Sequence, residues 1–261
     1  MLDVSQVSIR YGGVQALSDV SLHVDRDTIH SVIGPNGAGK TTLFNCISGA
    51  TRLSQGRISL DGVRVDGLPE HRVARHGVSR TFQNIRLFGG MTVLENVLVA
   101  FEAKRPGYVL FFPAFASVGP GHQAEAPTAE RALELLELVG LAGRAHHYAR
   151  TLSYGDQRRL EIVRALATDP VVLLLDEPAA GMNPQESARL TEFIVGLRAR
   201  FGLTILLIEH HMRVVMSLSQ RITVLEYGRK IAEGSPDEIR RDPEVLRAYL
   251  GGRSASHGLK T

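Results

Sequence analysis

Apolar and polar positions alternate from the start of the chain. Val4, Val7 and Ile9 fall in an extended pattern, and Leu17 to Val24 continues it, so this stretch predicts strands. The pattern tightens at Ile29 to Ile33, a short apolar run that closes on Gly34. GPNGAGKTT follows, and Leu43 to Ile47 suits a helix. From Arg86 to Ala167 the chain is helical in character. Thr92 to Phe101 starts as a helix, with Thr92 as N-cap and Glu95 three residues on, a capping-box spacing. Ala129 to Val139 puts Leu133, Leu136 and Val139 on one side of a second helix. Between them, Arg105 to Pro127 is rich in Gly, Pro and aromatics and reads as a surface excursion or a docking loop. After Val171 strands and helices alternate. Val171 to Leu175 and Thr204 to Ile208 are uniformly apolar, as strands buried on both faces are. Ser187 to Arg200 and Met212 to Leu218 are helix-like. Arg221 to Glu226 and Arg229 to Ala232 flank Tyr227-Gly228, a hairpin signal. Short helices are expected at Pro236 to Arg240 and Pro243 to Leu250, and the small, polar tail from Gly251 is expected to be disordered. No internal repeat is visible. The pattern is that of an α/β core interrupted by a helical insertion.

Composition narrows the class without changing the fold. The 261 residues suit one large domain or two joined lobes; 44% are hydrophobic and 22% charged, as in ordinary globular proteins. The net charge of +3 gives no reason to expect nucleic acid as a partner, and would suit work near anionic lipid. A single cysteine, Cys46, forbids an internal disulfide and is expected to be a buried thiol in a reduced, cytosolic protein. The N-terminus MLDVSQVSIRYGG lacks the basic start and apolar run of a signal peptide. The most apolar stretch, Tyr108 to Val118, is shorter than the roughly 18 residues that span a bilayer and carries Pro113. If the chain serves a membrane process, another chain must do the crossing.

Candidate chemistry sits where strands end. Gly34, Pro35, Asn36, Gly37, Ala38, Gly39, Lys40 and Thr41 match the P-loop pattern in full. Glycines let successive N–H groups turn inward around phosphate oxygens, and the following helix adds its positive dipole end. Lys40 would reach the β- and γ-phosphates of ATP, the Thr41 hydroxyl would ligate Mg²⁺, and Thr42 would assist with phosphate contacts. Val171 to Leu175 leads into Asp176-Glu177-Pro178, which places carboxylates at the tip of a buried strand, where α/β sheets bind ligands. Asp176 would hold Mg²⁺, largely through water, and Glu177 would orient and deprotonate the attacking water. Taken alone, the pair reads equally well as acidic residues at a strand end.

Those residues reach a family. The P-loop, Gln83 in TFQN, Leu152-Ser153-Tyr154-Gly155-Asp156, Asp176-Glu177 and His210 occur in the order of ABC transporter ATPases, which the chain resembles from Leu2 to about Gly251. The P-loop is shared by many NTPases, whereas LSYGDQRRL ahead of LLLDEP is far more specific. The resemblance implies a P-loop NTPase core with a mostly parallel sheet, an N-terminal antiparallel β subdomain and an inserted α-helical subdomain. It implies one ATPase domain over 1–250, with 1–85 and 168–250 as core and 86–167 as the helical part. It also implies that Ser153 and Gly155 cap ATP held by a partner subunit, that Tyr11 stacks on adenine, that Gln83 senses Mg²⁺ or the attacking water, and that His210 contacts the γ-phosphate. Read alone, Tyr11 and His210 suit packing, Gln83 an ordinary loop and Ser153 a helix cap. Tyr154 and Asp156 depart from the usual Gly and Gln, and an acidic Asp156 cannot donate to phosphate. His211 stands where aspartate is usual, and Asn183, where many relatives have Asp, lies in the segment expected to cross a dimer interface.

Within the family the chain is most similar to the ATP-binding subunits of branched-chain amino acid importers, through GVSRTFQNIRLF, LSYGDQRRLEI, LDEPAAGMNP, LLIEH and DPEVLRAYLG. Systems for urea, short amides or lipopolysaccharide look similar. The implied partners are a second ATP-binding subunit (a paralogue or an identical copy), two transmembrane permease subunits and, indirectly, a substrate-binding protein, with the chain peripheral on the cytoplasmic face of the inner membrane. Two rivals remain: a soluble ABC protein, disfavoured by the single cassette and the lack of heptads, and a non-catalytic ATP-binding module, disfavoured by intact Lys40, Thr41, Asp176, Glu177 and His210.

Overall fold

The structure, a computed structural model, describes residues 1–103 and 126–254. The chain divides into two compact units, one formed by Met1–Arg80 with the chain from Val171 onward, the other by Thr81–Pro170. The first unit opens with β1 (Leu2–Tyr11), β2 (Val14–Val24), β3 (Ile29–Ile33), α1 (Lys40–Ile47), β4 (Gln55–Leu60), β5 (Val63–Arg64), α2 (Glu70–Arg75) and β6 (Val78–Arg80). The second unit holds α3 (Val93–Ala103), α4 (Ala126–Glu137) and α5 (Tyr154–Leu166), with short 3-10 turns at Ala142–Arg144 and Ala149–Thr151. The first unit then resumes with β7 (Val172–Asp176), α6 (Pro184–Phe201), β8 (Thr204–Ile208), α7 (Met212–Leu218), β9 (Arg221–Glu226), β10 (Arg229–Gly234), α8 (Pro236–Arg241) and α9 (Pro243–Ser254).

The first unit contains two sheets. One is antiparallel, in the order β2-β1-β4-β5. The other runs β10-β9-β3-β8-β7-β6 and is parallel apart from the β9–β10 hairpin. Its central strands β3, β7 and β8 are buried at every position. Each fully buried Leu or Ile there contributes on the order of 1.5–3 kcal/mol relative to exposure. β3 carries two polar residues through this core. His30 Nε2 meets Thr223 Oγ1 at 2.8 Å and Ser31 Oγ meets Ser219 Oγ at 2.6 Å, so neither is left without a partner. One apolar cluster joins side chains of β1, β2, β4 and α1 to one face of the parallel sheet; a second packs Ile33, Ile222 and Val224 against Val215, Ile239 and Val245 from the C-terminal helices.

β8 and α7 occupy the expected ranges, and the Tyr227-Gly228 hairpin forms with both residues at positive φ, 47° and 76°. β2 begins three residues earlier than its hydrophobic run because Val14 pairs with Tyr11 across Gly12-Gly13. α9 continues to Ser254, past the expected stop at Leu250; the sequence there holds no proline to end the helix. The remainder of that tail, and all of Arg105 to Pro127 except its last two residues in α4, lie outside the described residues.

In the second unit Thr92 and Glu95 form the capping box: Thr92 N–H donates to Glu95 Oε2 at 2.7 Å and Glu95 N–H to Thr92 Oγ1 at 3.2 Å. Arg158 of α5 is fully buried. It donates to the carbonyls of Phe82 and Gln83 at 2.6 Å each and pairs with Glu161 at 2.8 Å, which ties the TFQN segment to α5. A buried arginine is tolerated when carbonyls and a carboxylate surround it in this way. Among the described residues no helix is long and apolar enough to cross a membrane.

Candidate functional site

The loop between β3 and α1 is shaped by glycines that no other residue replaces. Gly34 sits at φ 148°, and a Cβ there would lie 2.0 Å from the Leu225 carbonyl oxygen. Gly39 sits at φ 100°, where a Cβ would come within 2.7 Å of the Ala16 oxygen. Pro35, Asn36, Gly37 and Ala38 form the bend, with Ala38 N–H returning to the Pro35 oxygen at 3.1 Å. Gly39 occupies the N-cap of α1 with no side-chain cap, so the first N–H groups of the helix remain available to an anion. Thr41 and Thr42 lie in that first turn, Thr41 exposed.

Lys40 is only 7% exposed. Its Nζ donates to the carbonyls of Gly34 at 2.7 Å and Pro35 at 3.0 Å, inside its own loop. Burial lowers its pKa, and the carboxylates of Glu177 and Asp176 pull it part of the way back. Lysine, Asp176 and Glu177 therefore share one electrostatic environment.

Asp176 is the last residue of β7 and is buried; Glu177 follows at φ 47°, an uncommon conformation for a non-glycine, with its N–H held by the Ile208 carbonyl at 2.9 Å. His210 Nδ1 lies 3.5 Å from Glu177 Oε2. Behind them is Glu209, fully buried, whose carboxylate accepts N–H groups from Ala179 at 3.0 Å, His210 at 2.8 Å and His211 at 3.0 Å. Glu209 thus clamps the turn after β8 to the turn after β7. Donor atoms of Glu209, His210 and His211 cluster within 4.8 Å, but the carboxylate is already engaged by the backbone.

Arg80, at the end of β6, reaches the same place. Its Nη2 donates to Asp176 Oδ2 at 2.9 Å and its Nη1 to Asn45 Oδ1 at 2.7 Å, and its guanidinium lies 5.7 Å from the Phe44 ring centroid. Arg80 and Glu209 were not foreseen from the sequence. The one signal for either is a charged residue at the end of an apolar or strand-like run. The donor set of Thr41 hydroxyl and Asp176 carboxylate consists of hard oxygens, the kind Mg²⁺ takes together with water and phosphate oxygens, so these residues fit that ion. Among the described residues the Asp176 carboxylate makes no hydrogen bond other than that to Arg80.

Tyr11 ends β1 with its ring half exposed and its hydroxyl 3.4 Å from Thr51 Oγ1. The P-loop, Asp176, Glu177, His210 and Tyr11 all belong to the first unit; Gln83, Ser153 and Gly155 belong to the second. Gln83 is exposed, with its carbonyl held by Arg158. Ser153 is the N-cap of α5, its Oγ accepting Asp156 N–H at 3.2 Å, and among the described residues, chain neighbours and the helix's own backbone aside, nothing lies within 4 Å of where a Cβ on Gly155 would be. The Asp156 carboxylate is turned to Arg144, at 3.1 Å, and to Arg159. Asn183 caps α6 in a full capping box with Glu186. Cys46 is buried, which pushes its thiol up to about 12 and leaves it inert at neutral pH.

Comparison with known proteins agrees with this arrangement. The family model described as ABC transporter matches residues 17–180, and that described as branched-chain amino acid ATP-binding cassette transporter matches 229–255. The high-affinity branched-chain amino acid transport ATP-binding protein LivG of Salmonella typhimurium is 48% identical over 255 residues, covering 96% of this chain and 98% of the relative. An ATP-binding cassette of an ABC transporter solved in its ADP conformation superposes with a TM-score of 0.84 at 31% identity, covering 96% of this chain and 98% of that one. A dimeric ATP-binding cassette in a post-hydrolysis state, bound to ADP and Pi, gives 0.75 at 25% identity, covering 90% and 99%. A loop and helix terminus made for phosphate, a carboxylate pair at the end of the adjacent strand and this likeness over nearly the whole length lead to one conclusion: the chain belongs to the ABC transporter family, as one of its ATP-binding cassettes.

Proposed function

We propose that the chain is the ATP-hydrolysing subunit that powers an importer of branched-chain amino acids. The observation that carries the chemistry is Glu177, held at φ 47° with His210 3.5 Å from its carboxylate and with Lys40 in its field. Lys40 and the N–H groups of the loop 34–42, Pro35 excepted, bind the β- and γ-phosphates. Tyr11 takes the adenine. Thr41 and Asp176 would hold Mg²⁺, with Gln83 sensing the ion or the water. The bound ion supplies positive charge against the phosphate oxygens. Glu177 accepts the proton of the attacking water, and His210 orients the γ-phosphate and the Glu177 carboxylate.

Ser153 and Gly155 stand at a helix N-terminus suited to a γ-phosphate presented by a second ATP-binding subunit. In this reading two subunits close head-to-tail over two ATPs and reopen after hydrolysis, so ATP acts by favouring one of two global states. Two permease subunits convert that motion into transport, a substrate-binding protein delivers the cargo, and the chain sits on the cytoplasmic face of the inner membrane. The choice of cargo is supported by the likeness to LivG.

Affinity isolation of the tagged chain from gently solubilised membranes tests this reading. Two different multi-span permeases and a second ATPase, with a binding protein that takes leucine, isoleucine or valine, are expected. A membrane pair that exports lipopolysaccharide would keep the chemistry and overturn the cargo. Recovery without any membrane protein would overturn the transport role.

A further inference from the structure

Asp176 is buried at 4% exposure and accepts a hydrogen bond from Arg80 Nη2 at 2.9 Å. The guanidinium, itself 8% exposed, is anchored on the other side by α1, through Asn45 Oδ1 at 2.7 Å and Ser48 Oγ at 3.3 Å, and rests near the ring of Phe44. α1 is the helix whose first turn carries Lys40 and Thr41. Arg80 therefore joins the two sources of oxygen ligands, the helix that bears Thr41 and the strand that bears Asp176, through one planar group. A fork of this kind fixes both distance and orientation; a lysine in its place offers a point charge without the second arm. Since Arg80 engages Oδ2, it restrains the rotation of the carboxylate and leaves Oδ1 for the ion or for a water that bridges to it.

From this geometry we infer that Arg80 is a positioning residue for Mg²⁺, setting the rotation of Asp176 and its separation from Thr41 without touching nucleotide. The inference rests on the reading of the ATP site given above. It assigns Arg80 a role in the strengthening of ATP binding by Mg²⁺ and none in the grip of the P-loop on phosphate. Partners that orient a ligating carboxylate are worth roughly 10–100-fold in metal affinity.

The test uses the full-length chain carrying Glu177→Gln, so that bound ATP is not consumed. ATP affinity is measured by calorimetry in Mg²⁺ and again in EDTA, and the ratio gives the strengthening due to the ion. Arg80→Ala is expected to reduce that ratio about tenfold or more while leaving the EDTA affinity within about twofold, as loss of an orienting partner predicts. Arg80→Lys should restore the ratio only in part. An unchanged ratio in folded Arg80→Ala overturns the inference, and so does an equal loss in both buffers, which marks a general collapse of the loop. If Arg80→Ala does not fold, Asn45→Ala, which removes one anchor of the guanidinium, decides: a reduced ratio supports the inference and an unchanged one overturns it. Absence of ATP binding in the Glu177→Gln parent would instead overturn the ATP-site reading.

Discussion

Two helix N-termini in this protein carry the residues that face phosphate in the proposed mechanism, and they are finished in opposite ways. α1 starts from Gly39 in a left-handed conformation with no side-chain cap. α5 starts from Ser153 in an extended conformation, with its hydroxyl already accepting the N–H of Asp156. The first terminus is bare and permanently shaped by backbone; the second is satisfied by its own side chain until something better arrives. An uncapped N-terminus costs stability that a bound anion returns, whereas a capped one is stable alone and needs a partner to draw the hydroxyl away. In the proposed mechanism, the contrast suits the P-loop end to a ligand it always meets and the α5 end to one it meets only in part of a cycle.

The largest effect should come from Glu177, the carboxylate after β7 that shares its electrostatic environment with Lys40 of the bare end. Glu177→Gln keeps the shape of the side chain and removes its basicity, so turnover should fall at least about 100-fold while ATP affinity stays near the parental value. A steady-state assay with the partner subunits, paired with ATP titration, separates the two; lost affinity would count against the assignment of Glu177 as base.

A second expectation concerns the strand that delivers the P-loop. His30 is the buried histidine among the described residues, and burial lowers its pKa to about 4 from 6.5. The folded state thus holds it neutral while the unfolded chain protonates it. Its contribution is complete above pH 6.5 and is lost as pH falls from there toward 4, amounting to about 3 kcal/mol. Urea denaturation of wild type and His30→Asn across that window should show the steeper acid loss in wild type. Hydrogen exchange should place that loss in the first unit and not around α5. Parallel pH curves for the two proteins would refute it.

Gly39→Ala tests whether the bare terminus depends on backbone shape. The new Cβ meets the Ala16 oxygen at 2.7 Å at a φ of 100°, so about 2 kcal/mol of stability and most of the ATP affinity should go. Retained ATP binding would show that the loop tolerates another path.

The smallest effect belongs to the capped end. Ser153→Ala removes the cap and should cost about 1 kcal/mol. Ser153→Asp should keep the cap and the stability but place a negative charge where the partner's γ-phosphate arrives, and so depress the ATPase of the assembled pair. If Ser153→Asp hydrolyses ATP at the wild-type rate, α5 is only a structural cap and the comparison between the two termini loses its functional half.

Much of the site is local in sequence and was legible for that reason. The P-loop spacing, the Thr92–Glu95 capping box and the Tyr227-Gly228 hairpin each depend on residues within a few positions of one another. Buried strands such as Thr204–Ile208 were legible because burial on both faces leaves a purely apolar run. β4, β5, β6 and α2 were not read. β4 is exposed over its first half, and it is a strand because Arg57 to Leu60 pair with Ser5 to Leu2. The charge of Asp156 argues against a phosphate role on its own, but its pairing with Arg144 and Arg159 came only with the fold.

By itself, then, the sequence determined the phosphate loop, the apolar central strands with the helices that alternate with them after Val171, and the family. Hydrophobic period, turn chemistry and glycine placement act over a turn or a strand, and they are written consecutively. Tertiary structure alone decided that Arg80 meets Asp176 across 96 positions, and that Glu209 holds Ala179 across 30. A charged side chain in isolation has no preferred partner. The pairing is selected only when adjacent parallel strands fix which ends lie side by side and burial makes an unpaired charge too costly to keep.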